Sequence, residues 1–231
     1  YSDIVCDFLV ALSRKLMKHK DISLYPDVMS LAFWCRRANL NILKKKYSKI
    51  DQIRLGRGIA FHITPSNVPV NFAFSLCFGL IAGNTNIVRV SSRRMPQVEL
   101  ICSAINKLLT NPEFIEINSR VIVLRYERSD EVTSALSSLC DIRIIWGGDN
   151  TISNIRRFNV SPRCVDLAFS DRYSIAIIDS NSIVNASSKE LEKVAINFYN
   201  DSYVMDQNAC SSPHILFWYG KISTKNKARF W

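Results

Sequence analysis

Glycine and proline are scarce in this chain, with seven of each among 231 residues. That scarcity excludes collagen-like and low-complexity classes, and the 48% hydrophobic content calls for a packed globular core. No apolar run reaches the ~18 residues of a membrane span. The nearest, residues 68–83, is interrupted by Asn71 and Ser75 and reads as a buried helix. No basic-then-apolar leader precedes the first amphipathic segment, so no secretory signal is expected. The chain starts at Tyr1, without Met, and stops at Trp231, as the two ends of a fragment would. The seven cysteines (Cys6, Cys35, Cys77, Cys102, Cys140, Cys164 and Cys210) show neither C-x-x-C nor Cys/His ligand spacing. A metal site or a disulfide framework is therefore not expected, and a reducing cytoplasm is the default compartment.

Acidic residues are also short, 20 against 30 Lys and Arg, for a net charge of +10. The basic clusters, at 14–20, 44–49, 93–94, 156–157 and 221–229, are scattered over element ends and carry no nucleic-acid motif. An anionic small ligand such as a phosphorylated cofactor suits that distribution better than nucleic acid.

What is present is alternation. Residues 1–50 read as helical, with one stripe on Ile4, Phe8, Leu9 and Leu12 and another on Val28, Leu31, Ala32 and Cys35. Strands are expected at 58–63, 86–90, 121–124, 142–146, 165–169, 174–178 and 214–218. Helices are expected at 69–82, 96–109, 131–139, 151–158 and 187–201. Pro69 is placed at the first turn of its helix, Gly83-Asn84 at its end, and Ser187 with Glu190 forms a capping box. Strands alternating with helices of this length imply parallel βαβ units, an open Rossmann-like α/β sheet. Three divisions follow: a helical segment 1–50, a dinucleotide-binding domain 51–180, and the start of a second α/β catalytic domain at 181–231. Ligands of such sheets sit beyond the carboxyl ends of strands, which singles out the loops 64–68, 90–94 and 146–150.

Cys210 differs from the other cysteines. It lies in Gln207-Asn-Ala-Cys-Ser-Ser-Pro213, a polar loop of small residues where a thiolate can meet a substrate carbonyl, whereas the other six sit in apolar or helical surroundings. An inert surface thiol is the plainer alternative. His214, four residues on, is in reach to shuttle a proton, although a half-buried strand histidine is the simpler reading.

Three stretches carry a family resemblance: Gly58-Ile-Ala-Phe-His-Ile-Thr-Pro-Ser-Asn-Val-Pro69, Ala82-Gly-Asn-Thr-Asn-Ile-Val-Arg-Val-Ser-Ser92 and the Cys210 loop. With Trp146-Gly-Gly148 they resemble the aldehyde dehydrogenase superfamily, and within it the LuxC-type acyl-CoA reductases, over residues 50–220. The resemblance implies a nicotinamide cofactor, an acyl thioester on Cys210, and Asn67 as the donor to the carbonyl oxygen as it gains charge. Asn67 between two prolines is also what an ordinary turn carries. The cofactor would lie on Thr64 and Pro65, on Arg89, Ser91, Ser92 and Arg93, and on Gly147 and Gly148. Many relatives end the ribose motif with Glu, where this chain has Ser92 followed by Arg93 and Arg94. Guanidinium groups in place of a carboxylate suit a 2′-phosphate, so NADPH is expected over NADH.

Aldehyde-oxidising relatives also carry a Glu that activates water, and Ala168 aligns with that position. The function expected is NADPH-dependent reduction of a fatty acyl thioester to an aldehyde. The acyl donor is acyl-CoA or a partner acyl-protein synthetase, and self-association of the chain stays open. The alternative is a truncated remnant that binds cofactor or a partner without turning over.

Overall fold

The computed structural model describes residues 1–47, 53–205 and 207–231. The expected boundary at 50/51, and Lys49 of the second basic cluster, lie outside the described residues. The chain divides into two compact units, Tyr1–Ser170 and Asp171–Trp231. No helix among the described residues is long and apolar enough to cross a membrane.

Unit one opens with α1 (Asp3–Met17), α2 (Pro26–Trp34) and α3 (Arg37–Tyr47). Phe8, Leu9 and Leu12 of α1, Val28, Leu31 and Ala32 of α2, and Cys35 just after α2 are buried, as helical spacing of an apolar stripe requires. Five strands follow: β1 (Ile59–Ile63), β2 (Thr85–Val90), β3 (Val121–Arg125), β4 (Ile142–Trp146) and β5 (Val165–Phe169). They pair in parallel in the order β3-β2-β1-β4-β5. Parallel neighbours need long crossovers. These are α4 (Asn71–Ile81), α5 (Pro96–Leu109) with the short α6 (Ile115–Asn118), α7 (Asp130–Leu139) and α8 (Asp149–Arg156). α1 packs on α2, α4 and α5, so the helical start of the chain belongs to this unit.

Side chains alternate across the sheet with period two. Phe61, Ile63, Ile87 and Ile145 form one cluster with Cys140 and Ile152 on the side of α7 and α8. On the same side Arg143, 1% exposed, makes a two-pronged ion pair with Asp166 at 2.7 and 2.9 Å. Its remaining guanidinium nitrogen donates to the Ile155 and Phe158 carbonyls at 3.1 and 3.0 Å, so the buried cation also caps the end of α8.

α4 ends in a Schellman motif. Asn84 N–H bonds the Gly79 carbonyl and Gly83 N–H the Leu80 carbonyl, with Gly83 at φ 89°. The start of α4 differs from the expectation. Pro69 lies ahead of the helix in a turn closed by Asn71 N–H on the Val68 carbonyl at 3.1 Å. Fixed φ serves the second residue of a turn as well as the first of a helix, and here the turn prevails. α8 likewise begins at Asp149 rather than 151, with Gly148 as its N-cap.

Unit two holds β6 (Ser174–Asp179) and β7 (Pro213–Tyr219), parallel partners in a sheet of their own, with α9 (Ser180–Asn185), α10 (Ser188–Tyr203) and α11 (Thr224–Phe230). Ile178, Leu216 and Trp218 pack with Ile183, Leu191 and Phe230. The Ser187–Glu190 capping box forms in both directions. β6 was expected inside the dinucleotide domain ending at 180, whereas unit one closes at Ser170. Apolar alternation marks a strand but does not choose its neighbour, and β6 finds its ladder on β7.

Candidate functional site

The strand order of unit one reverses between β1 and β4, which is where open α/β sheets bind ligands. The registers Ile63↔Arg89 and Ile63↔Ile145 bring the carboxyl ends of β1, β2 and β4 level. The three sequence-predicted loops therefore emerge from one edge, side by side, and with the strand ends before them carry Thr64, Pro65 and Asn67, Arg89 to Arg93, and Gly147 with Gly148.

Their roles divide on inspection. Thr64 is buried and spends its polar groups within the fold: its N–H and its hydroxyl both donate to the Arg89 carbonyl, at 3.3 and 2.7 Å. It ties β1 to β2 and gives the ligand no hydroxyl proton. Pro65 is half-buried, while Ser66 and Asn67 are exposed at the loop tip. The Arg89 guanidinium lies 5.0 Å from the Tyr126 ring centroid, a cation–π contact. Ser91 is buried, and its hydroxyl oxygen accepts from the Arg93 N–H at 3.1 Å, which shapes the loop and leaves Ser92, Arg93 and Arg94 exposed. A Cβ on Gly147 would meet Thr151 at 3.0 Å, so glycine lets the strand turn tightly into α8. Gly148 has an ordinary φ of −68° and owes its place to capping.

Sequence reasoning missed two contributors. Arg125, at the carboxyl end of β3, donates to the Ser91 carbonyl at 3.2 Å and to Glu99 at 2.5 Å, adding a guanidinium beside the second loop. Its place at a strand end was a signal that could have found it. His62, read only as a strand residue, is fully buried, with Nδ1 2.7 Å from Ser75 Oγ and Nε2 3.0 Å from Asn86 Oδ1. Burial pushes its pKa down to about 4, against a smaller upward pull from Asn86.

The edge fits a dinucleotide on its donor chemistry. Guanidinium and hydroxyl groups on the second loop match phosphate and ribose. The first N–H groups of α8 face out of a helix start, where backbone donors and the dipole favour an anion. At the start of α4, Asn71 Oδ1 is buried with no hydrogen-bond partner among the described residues, an acceptor suited to an N–H donor such as a carboxamide. Among the described residues no group of three His, Cys, Asp or Glu is set to hold a metal ion.

In unit two, Cys210 is exposed, in a turn closed by Ser212 N–H on the Ala209 carbonyl at 2.9 Å. The Cys210 carbonyl accepts from Ser174 Oγ at 2.7 Å, which ties the loop to β6. No helix starts at this thiol, since β7 follows it at Pro213. Of the other cysteines, Cys6, Cys35, Cys77 and Cys140 are buried and Cys102 and Cys164 half-buried. Burial pushes the thiols of Cys102 and Cys140 up to about 11 and about 12. His214, expected half-buried, is exposed on β7 and stacks on Tyr173 at 5.0 Å. Ala168 lies on β5, and the nearby carboxylate of Asp166 is held by Arg143.

A family model described as acyl-CoA reductase (LuxC) matches residues 31–229. The chain belongs to this family. Among curated relatives, the long-chain acyl-protein thioester reductase of Aliivibrio fischeri is 26% identical over 168 residues, which cover 71% of this chain and 32% of that protein. The protein of the same name from Vibrio harveyi is 28% identical over 168 residues, with the same shares. The chain thus spans 32% of the length of these relatives. Solved structures carry the fold. A putative aldehyde dehydrogenase from Burkholderia cenocepacia superposes with a TM-score of 0.72 at 14% identity, covering 98% of this chain and 50% of that one. PnpE in complex with nicotinamide adenine dinucleotide gives 0.67 at 14%, covering 98% and 49%. The aldehyde dehydrogenase-like fold expected from the family motifs is therefore the one this LuxC-family chain adopts.

Proposed function

We propose that this chain carries the dinucleotide site and the nucleophile of an NADPH-dependent fatty acyl thioester reductase. The observation that carries the reading is Cys210, exposed in its polar loop while the other six cysteines are buried or half-buried. The names of the curated relatives, long-chain acyl-protein thioester reductases, support the substrate class.

In this scheme the Cys210 thiolate attacks the carbonyl carbon of the acyl thioester. The Asn67 amide donates to the oxygen as it becomes an oxyanion; loss of such a donor costs about 10²–10³ in turnover. The donor leaves as a thiolate and takes its proton from solvent, and the acyl group stays on Cys210 Sγ. Arg89, Ser91, Ser92 and Arg93 and the loop at Gly147 and Gly148 would hold a reduced dinucleotide, which would supply the hydride. Collapse of the resulting thiohemiacetal expels the Cys210 thiolate and frees the aldehyde. Ala168 provides no carboxylate to activate water, so the acyl-enzyme persists until reduced. Acyl-CoA and an acyl-protein synthetase are both donors of the right chemistry.

The test is incubation with a labelled acyl-CoA, then mass spectrometry of wild type and Cys210→Ser. The reading expects an acyl mass on Cys210 that is discharged by NADPH and absent in the variant. Acylation at another residue overturns it. Arg93→Ala should weaken NADPH roughly tenfold relative to NADH, the scale of one charge-assisted bond. Equal losses for both dinucleotides would remove the 2′-phosphate assignment.

A second reading, dinucleotide binding without turnover, draws on unit two. There Ile175, Ile177, Ile215 and Phe217 leave one face of the β6–β7 sheet exposed and apolar. Dinucleotide binding with no acyl transfer in the same experiment would select it.

A further inference from the structure

The face of the sheet under α4 sets two buried polar side chains, His62 and Asn86, beside Ala60, Val88 and Val90, where an α/β core is ordinarily apolar throughout. Trp146 Nε1–H donates to Ser75 Oγ at 3.2 Å. Asn86 Nδ2 donates to the Asn84 carbonyl at 2.8 Å, which leaves Asn86 Oδ1 as an acceptor for His62 Nε2–H at 3.0 Å. His62 therefore carries its proton on Nε2, and its Nδ1 accepts the Ser75 hydroxyl proton at 2.7 Å. Every donor in the chain from Trp146 through Ser75 and His62 to Asn86 points the same way, and each of these side chains has its partner.

The cost of such a line is desolvation, and apolar side chains of the same volume would hold α4 at least as firmly. What apolar packing does not give is a single register. The relay binds α4 at Ser75 to β1 at His62, β2 at Asn86 and the last residue of β4 at Trp146, the three strands whose carboxyl ends carry the candidate loops. Gly79 brings α4 close enough for this, since a Cβ there would overlap Asn86 Oδ1 and reach 3.1 Å from His62 Cε1. Trp146 has a second constraint, stacking on Phe169 of β5 at 4.1 Å, and its backbone runs directly into Gly147 and Gly148.

We infer that Ser75, His62 and Trp146 are positioning residues: their hydrogen-bond relay sets the Gly147–Gly148 loop against the Asn67 loop so that both meet one dinucleotide. The inference rests on the reading that these loops bind NADPH.

The experiment measures NADPH affinity of the full chain by calorimetry, with thermal unfolding in parallel. Four variants are compared with wild type. Ser75→Ala breaks the relay at its centre, and Trp146→Phe removes the indole N–H while keeping a ring on Phe169. The third is the double variant. The fourth, Leu16→Ala in α1, is a buried core control that belongs neither to the relay nor to the three loops. Each relay variant should bind NADPH about tenfold more weakly, as loss of one buried hydrogen bond predicts. The double variant should lose no more than the worse single one, because both cut the same chain of bonds. Leu16→Ala should lower the unfolding temperature and leave affinity unchanged. Unchanged affinity in the relay variants, or an equal loss in Leu16→Ala, overturns the inference. Should Ser75→Ala fail to fold, Trp146→Phe decides alone by the same criterion. Wild type that binds no dinucleotide would instead defeat the functional reading beneath it.

Discussion

At the scale of single residues, His62 gives the chain a pH signature. Its pKa falls from 6.5 to about 4 in the fold, so between those values the unfolded chain binds the proton that the folded chain refuses. The contribution of the neutral ring is complete above pH 6.5 and is lost as pH drops toward 4. A shift of that size corresponds to a few kcal/mol, on the order of 3. His62→Asn, which keeps an acceptor for Ser75, should flatten urea-unfolding stability across that window. A slope as steep as wild type would show that other groups carry it. The short apolar segment 58–63 read as a buried strand, and β1 is one, but neither the partners of His62 nor its tautomer was legible in the sequence. Its partners are Ser75 and Asn86, 13 and 24 residues away.

At the scale of elements, the strands and long helices were readable because their apolar periods differ, two against 3.6. β4 and β5 and the long α5 match their expected limits. The short α6, α9 and α11 were not anticipated, since four to seven residues hold too few turns to show a period. Gly79 tests how tightly α4 sits. Helix propensity alone favours Ala over Gly by about 1 kcal/mol. Overpacking costs about 1–3 kcal/mol, and a broken buried hydrogen bond costs a similar amount again. The second effect wins. Gly79→Ala should destabilise the chain by roughly 2–4 kcal/mol, read from the urea midpoint. A stabilised variant would mean that α4 moves freely on its sheet.

At the scale of the whole molecule, β6 and β7 leave one apolar face of their sheet exposed. Ile177 is 66% exposed and Phe217 50% exposed, on the face opposite the helix-packed Ile178 and Trp218. Contiguous apolar surface of this kind binds dyes and drives association. Replacing Ile177 and Phe217 together by Thr should reduce the fluorescence of an added hydrophobic dye and leave the unfolding temperature of the chain within a degree or two, because neither side chain packs in that core. Undiminished dye binding would place the sticky surface elsewhere.

The sequence alone determined the order of the strands and long helices, the three loops that must emerge at carboxyl ends, and Cys210 as the candidate nucleophile. Each follows from local periodicity, from turn chemistry or from a motif that spans a few residues. Only the tertiary structure decided that β6 leaves the five-stranded sheet for β7, that Thr64 spends its hydroxyl on Arg89, and that His62, Ser75, Asn86 and Trp146 join in one line. Those outcomes depend on which distant groups satisfy one another once water is excluded, and hydrogen-bond pairing across tens of residues leaves no period in the chain to read.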